Sequence, residues 1–360
     1  MDSLVETIGK IPFRLTMQAF SRKPDTKALT RYFERIRETF QKHTPAIAIG
    51  EHIGSGGFAD VFKASSNYDG VTDFAIKILR TDLLTIRTGN GSDPQEEEMR
   101  VKDMKKRFTN ESYVQWDLSK SLSDTVSRSV VKVFDFGEFD HANNFRFILM
   151  EQMGLTLRNF LNDRKNTADT RDMLLYKTRL MLTIAEMISN VHTEGIFHRD
   201  IKPENILFPR HFILPDFGAG DPGRRGAAKK IEVKLADFGT VRWVKSYTSK
   251  YDGMIIGSQF YMSPEQIYNP ENLDQRTDIY SFGIVCYELL YGAHPKSISK
   301  NTTNVLSKLA SEKPIVRTPP RGFEDLNEIV VKCMGSIRER YQSMEHVVTD
   351  LRAFYEQAAG

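Results

Sequence analysis

A change of periodicity partway along the chain constrains its fold more than any other feature. From Ala46 the sequence reads as short apolar runs punctuated by glycine, Ala46-Ile47-Ala48-Ile49, Val61-Phe62-Lys63-Ala64 and Phe74-Ala75-Ile76-Lys77-Ile78-Leu79, the pattern of strands joined by turns. After Met150, apolar residues recur at helical spacing near 173–192, 278–291 and 323–334. Strands gathered in one part and helices in the next imply an α+β, bilobal architecture: a small β-rich N-lobe over 46–150 and a larger helical C-lobe over 151–357. Residues 1–45 precede the first strand. There Tyr32, Phe33, Ile36 and Phe40 fall at roughly helical spacing, an N-terminal helical extension that either packs on the small lobe or serves as a docking segment. Two polar stretches, Thr81 to Lys106 and Pro209 to Lys230, read as surface loops, the first containing the acidic run Glu96-Glu97-Glu98.

The 50 basic and 47 acidic residues leave a net charge of +3, so nothing in the balance asks for nucleic acid or a membrane as partner. The two cysteines, Cys286 and Cys333, sit in apolar, helix-like contexts and read as buried structural thiols. No apolar run approaches the ~18 residues needed to span a bilayer. The first residues lack the basic flank and apolar stretch of a signal peptide. A soluble, cytoplasmic protein is the expectation.

His198-Arg199-Asp200-Ile201-Lys202-Pro203-Glu204-Asn205 packs a carboxylate, an ammonium and an amide oxygen into one short loop. Those groups suffice to orient a hydroxyl, neutralise a moving phosphoryl group and hold Mg²⁺. A lone His-Arg-Asp is as readily a surface turn. Together with Asp237-Phe238-Gly239 downstream and Ala75-Ile76-Lys77 upstream, the run resembles the motif set of eukaryotic-type protein kinases, and Ser263-Pro264-Glu265-Gln266 with Arg340-Tyr341-Gln342-Ser343 resembles their bacterial Ser/Thr members. Many of those bacterial members carry a membrane anchor and extracellular repeats after the catalytic domain. This chain ends shortly after Tyr355, so either a cytosolic member or a piece of a longer protein is expected.

The resemblance implies a nucleotide half and a chemical half. Gly54-Ser55-Gly56-Gly57-Phe58-Ala59-Asp60-Val61 joins two predicted strands, the setting of a phosphate-cradling loop in which glycine lets backbone N–H groups approach oxygen. Read alone, it is equally a hairpin turn, and Ala59 stands where the family has a third glycine. Ile53, Val61 and Ala75 would cover the adenine from one side and Leu207 from the other. Met150 would be the gatekeeper, with the backbone of Glu151 and Met153 facing the base. Lys77 would pair with phosphate, held by Glu111 in preference to Glu96, Glu97 or Glu98. Gln115 is polar where many relatives are apolar.

In the chemical half, Asp200 would orient the acceptor hydroxyl, Lys202 would stabilise the transferred group, and Asn205 and Asp237 would bind Mg²⁺, with Mn²⁺ as a substitute. A second triplet, Asp216-Phe217-Gly218, follows Asn205 too closely for a strand hairpin and is assigned to an insertion. Glu265 would pair with Arg340, and Asp278 would brace the catalytic loop. Ser258 would bond near Asp200 and Lys202. Arg199 before Asp200 implies activation by phosphate on Ser246, Tyr247, Thr248, Ser249 or Tyr251, with autophosphorylation expected at Thr248 or Ser249. The implied activity is transfer of the ATP γ-phosphoryl group to Ser/Thr hydroxyls of proteins. The alternatives are a nucleotide-binding pseudokinase or scaffold, which usually lacks one of these groups, and a kinase-fold enzyme acting on a small molecule, against which the segment 257–265 speaks. Protein substrate, activating signal and oligomeric state are not legible.

Overall fold

The computed structural model describes residues 34, 36–38, 40–42, 44–55, 59–67, 74–79, 94–139, 145–163, 170–212, 231–239, 258–296, 311, 313–315 and 317–360. The chain is α+β and divides into two compact units, Met1–Trp116 with Lys132–Gln152, and Asp117–Val131 with Met153–Gly360.

The first unit is built on an antiparallel sheet of five strands in the order β1 (Ile47–Ser55), β2 (Ala59–Ser66), β3 (Phe74–Leu79), β5 (Phe145–Glu151) and β4 (Val133–Phe139). Side chains alternate between the sheet's two faces, and each face is apolar. Phe62, Ile76, Ile78 and Phe147 form one core with Ile36 and Phe40 from the N-terminal helical residues. The Phe40 and Phe147 rings meet edge to face at 5.5 Å. Arg37 closes the open edge by donating from Nε and Nη2 to the Gly50 carbonyl, at 3.1 and 2.8 Å. On the opposite face, Ala59, Leu79, Val133 and Ile148 pack with Phe108 of the long helix α1 (Pro94–Ser119).

Helix α1 corrects one expectation. The stretch 81–106 reads as a loop from its turn and breaker residues over 87–94 and the acidic run that follows, yet its second half, from Pro94, is helical. Glu, Gln, Lys, Arg and Met are strong helix formers, Pro is tolerated in a first turn, and the Arg107–Asp103 pair at 2.7 Å adds i,i+4 support, so a polar segment holds its helix without an apolar face.

The second unit carries α2 (Asp124–Ser129), a small antiparallel sheet of β6 (Met153–Thr156), β7 (Ile206–Pro209) and β8 (Lys234–Leu235), and helices α3 (Leu157–Asn162), α4 (Arg171–Thr193), α5 (Pro264–Tyr268), α6 (Arg276–Tyr291), α7 (Glu324–Cys333) and α8 (Met344–Ala359). Helix α6 is buried on every side from Thr277 through Tyr287, as befits a helix at the centre of a core. Gly283 is required there: a Cβ would come within 2.8 Å of Cys333 Cβ and Met334 Cγ where α7 crosses. Cys286 and Cys333 are both fully buried, and burial pushes the Cys333 thiol up to about 12, which makes it unreactive. No helix among the described residues is long and apolar enough to cross a membrane.

Because Phe40 is fully buried between the N-terminal helical residues and the sheet, Phe40→Ala is expected to destabilise the protein by about 3–5 kcal/mol, read as a lower denaturant midpoint. An unchanged midpoint would mean that this segment is not part of the core.

Candidate active site

Strand registers bring together the candidate residues of the first unit. Val61 pairs with Lys77 and Lys77 with Ile148, while Ala75 pairs with Met150, so Val61, Ala75, Lys77 and Met150 share the face that α1 covers. On α1, Phe108, Glu111 and Gln115 recur at helical spacing and are all buried, a stripe with one apolar and two polar members. Lys77 Nζ lies 2.5 Å from Glu111 Oε1, the two side chains being 13% and 5% exposed. Arg146 of β5 fixes the helix one turn earlier, donating from Nη1 to the Lys105 carbonyl at 2.7 Å and to Thr109 Oγ1 at 2.8 Å. Gly54 lies opposite Val61 and Ser55 opposite Asp60, and Ile53 is half exposed. Gly56, Gly57 and Phe58 fall outside the described residues. The Glu151 N–H donates to the Lys132 carbonyl at 2.9 Å, and its carboxylate accepts from the Lys132 N–H at 2.7 Å.

The second unit gathers its own candidate residues through one short hairpin. Ile206 pairs with Leu235 and Leu207 with Lys234, and the next rung is Ala236 N–H to the Asn205 carbonyl at 3.0 Å. That register seats Asn205 beside Ala236 and Asp237, whatever the length of chain between β7 and β8. His198 ties the same two segments. Its Nε2–H donates to the Ala236 carbonyl at 3.0 Å, its Nδ1 accepts from the Asp200 N–H at 3.3 Å, and its ring meets buried Phe238 edge-on at 4.8 Å. Lys202 Nζ donates to Asp200 Oδ2 at 2.6 Å. Asn205 Nδ2 donates to the Asp200 carbonyl at 2.9 Å and to its Oδ2 at 3.1 Å.

Burial raises the Asp200 carboxyl above its ordinary value; Lys202 opposes this and the charge of Asp237 adds to it. Burial alone would lower Lys202, but the charges of Asp200 and Asp237 outweigh it and hold the ammonium above its ordinary range. With the Asn205 nitrogen committed to Asp200, its side-chain oxygen is left for a cation. An amide oxygen and the Asp237 carboxylate are the hard oxygen donors that Mg²⁺ prefers, so the residues fit that ion.

Two non-glycine residues among those described have left-handed backbone, Arg199 at φ 63° and Asp237 at φ 67°. Each such residue costs on the order of 1–3 kcal/mol and persists only when its surroundings hold it. For Arg199 the support is Asp278, at the first turn of α6 and fully buried. Its Oδ1 accepts from the Arg199 N–H at 2.6 Å, and its Oδ2 accepts from the His198 N–H at 2.8 Å and from His192 Nε2 at 2.9 Å. Burial would raise this carboxyl, but the His192 hydrogen bond and charge, with further help from His198 and the Arg199 N–H, hold it below its ordinary value.

Glu265 and Arg340 pair at 2.5 Å, both nearly buried, and Arg340 also donates to the Arg276 carbonyl at 2.7 Å. Ser263 caps α5 by accepting from the Gln266 N–H, while the Gln266 side chain returns to the Ser263 N–H at 3.0 Å. The same Gln266 donates from Nε2 to the Arg199 carbonyl at 2.9 Å.

One network escaped the sequence reading. Arg158 of α3 donates to Glu204 Oε1 at 2.8 Å, to Glu288 at 3.3 Å and to the Tyr261 hydroxyl, which itself donates to Glu288 at 2.8 Å. Burial, then the charge of Glu288, raises Tyr261 well above its ordinary value, so it stays a phenol. These contacts tie the loop 198–205 to the turn Ser258–Tyr261 and to α6 across 27 to 130 residues of chain, and no local pattern announces them. Asp216 and the candidate phosphate acceptors 246–249 and 251 lie outside the described residues, as does the Ser258 side chain.

Residues 47–350 match the family model of the protein kinase domain. A probable serine/threonine-protein kinase PknB of Corynebacterium glutamicum is 30% identical over 313 residues, covering 83% of this chain and 40% of the relative. One of the same name from Lactococcus lactis is 25% identical over 304 residues, 84% and 40% of the two chains. The serine/threonine-protein kinase PknL of Mycobacterium tuberculosis is 29% identical over 246 residues, 67% and 54%. The chain belongs to the protein kinase domain family, and it spans about 40% of the length of the two PknB relatives and 54% of PknL.

Asp278→Asn leaves one acceptor oxygen for three donors, and the expected loss of stability is about 3 kcal/mol near neutral pH. Since the folded carboxyl lies below its unfolded value, the wild-type advantage is full above about pH 4 and fades as the pH falls through the folded value. Chemical denaturation of both proteins across pH checks this; a difference independent of pH would rule out the carboxylate as its source.

Proposed function

We propose that the chain is a protein serine/threonine kinase that transfers the γ-phosphoryl group of ATP. The observation that carries this reading is the group of buried Asn205 with the mostly enclosed Asp200 and Lys202, bonded to one another within 3.1 Å, beside the hairpin that also carries Asp237. Phosphoryl transfer passes through a loose transition state and asks a protein chiefly for positioning and charge neutralisation.

In this reading Asp200 orients the acceptor hydroxyl and receives its proton, and Lys202 offsets charge on the moving group while its own charge opposes the upward push of burial on Asp200. Asn205 and Asp237 hold Mg²⁺, which when bound with the nucleotide neutralises the phosphate oxygens. Lys77 grips phosphate, held by Glu111, and the hairpin from Gly54 to Val61 covers it. Ile53, Ala75, Met150, Glu151, Met153 and Leu207 are assigned to the adenine. Serine or threonine as acceptor is supported by Lys202 two positions after Asp200 and by the names of the relatives.

With radiolabelled ATP and a protein acceptor, the wild type is expected to transfer phosphate, and Asp200→Ala and Asp237→Ala to lower the rate by about three orders of magnitude. Asp216→Ala is expected to retain activity. Nucleotide binding without transfer in the wild type would leave a pseudokinase, and loss through Asp216 instead of Asp237 would overturn the metal assignment.

Arg199 beside Asp200 supports activation by a phosphate that pairs with its guanidinium. Incubation with ATP is expected to add mass at Thr248 or Ser249, and the double alanine variant to lose it. A protein that gains no phosphate by intact mass and peptide mapping would refute autophosphorylation.

A further inference from the structure

A second set of polar side chains lies at the root of the glycine-rich hairpin. Ser55 Oγ donates to Asp60 Oδ1 at 2.6 Å, and His52 Nε2 lies 3.2 Å from the same carboxylate oxygen and 3.0 Å from Ser55 Oγ. Asp60 is 2% exposed, and the His52 ring packs edge-on against buried Phe62 at 5.2 Å. The strand register explains how three residues at odd and even offsets reach one face. His52 lies opposite Phe62 and Ser55 opposite Asp60, and the irregularity between His52 and Gly54 inserts one extra residue into β1. Without it, residues 52 and 55 would point to opposite faces.

The hydrogen bonds have one consistent assignment. The Ser55 proton goes to Asp60, so Ser55 must accept from His52, and Nε2–H is the donor shared by hydroxyl and carboxylate. The residue types are those of a hydrolytic triad, but its logic is absent: there the carboxylate orients Nδ1 and leaves Nε2 to take the serine proton. Here both groups crowd one nitrogen that is itself a donor. The cluster is a clasp.

The clasp also lies on the sheet face away from Lys77. Asp60 and Phe62 alternate with Val61, which pairs with Lys77, so a nucleotide gripped by Lys77 does not touch Asp60 or His52. We propose that His52 and Asp60 are positioning residues that set ATP affinity by fixing the strand ends from which the phosphate-cradling loop departs, acting through Ser55. Pre-organising a loop lowers the entropy that binding must overcome, and Ala59 in place of a third glycine works in the same direction. The Ser55 hydroxyl, committed to Asp60, leaves phosphate recognition to backbone N–H groups.

This inference rests on the kinase reading, and the test separates the two. Steady-state kinetics of His52→Ala and Asp60→Asn are expected to show KM for ATP raised about three- to tenfold with little change in kcat or in KM for the protein acceptor. Ser55→Ala is expected to raise KM for ATP likewise, and Ser55→Thr, which keeps the hydroxyl, to restore it. Combining Ser55→Ala with Asp60→Asn is expected to give less than the product of the single effects, because one cluster is broken twice. A wild type with no ATP-dependent transfer would sink the kinase reading itself. An active wild type whose variants keep their KM for ATP, lose kcat and melting temperature together at constant KM, or combine multiplicatively would sink the clasp alone.

Discussion

A carboxylate sealed inside the second unit holds the chemical half of the site in shape. Asp278 stands at the first turn of α6, a helix surrounded by core, and accepts from two successive backbone N–H groups of the loop 198–199 and from His192. Backbone N–H groups buried in a loop have no ladder to satisfy them, and a charged acceptor is the strongest substitute. The bond to Arg199 also retains a left-handed residue that the chain would not adopt on its own. Asp200 follows directly, so its direction is inherited from α6.

The hairpin of β7 and β8 supplies the second constraint. Loop closure grows only as the logarithm of length, so a long excursion between the two strands changes their pairing energy little. Register alone seats Asn205 beside Asp237, and the His198 bonds lock that register from the side. Strain at Arg199 and Asp237 is tolerated because hydrogen bonds and the Phe238 anchor over-determine the backbone around them.

In the first unit the governing fact is the alternation of strand side chains. It places Lys77 on the same face as Ile148 and Leu79, where α1 packs, and the helix meets it with Glu111. Taking both charges out of water carries a desolvation penalty of several kcal/mol per ion, so the pair adds little stability of its own. What it fixes is the rotation of α1. The polar Gln115 on the same stripe and the Arg146 staple mean that α1 is oriented by specific hydrogen bonds as much as by apolar contact, which favours one helix position over a continuum.

The motif residues were legible because the proposed phosphoryl transfer admits few residue types, and Lys77, Asp200, Lys202, Asn205 and Asp237, which we assign to it, stand in short recognisable motifs. The strand runs were legible because a sheet apolar on both faces leaves short, uninterrupted apolar segments bounded by glycine. Other features were hidden for a physical reason in each case. The start of α1 is polar and follows a run of turn residues, so the sequence reads as loop where intrinsic helix propensity decides the structure. Arg158, Glu204, Tyr261 and Glu288 meet across distances at which sequence spacing carries no information. The clasp of His52, Ser55 and Asp60 depends on one extra residue in β1, which no composition reveals. Sequence by itself thus determined which groups are available and the period of each element. Tertiary structure alone decided which of them share a face, because register, bulges and helix rotation are set by packing between segments that are remote in the chain.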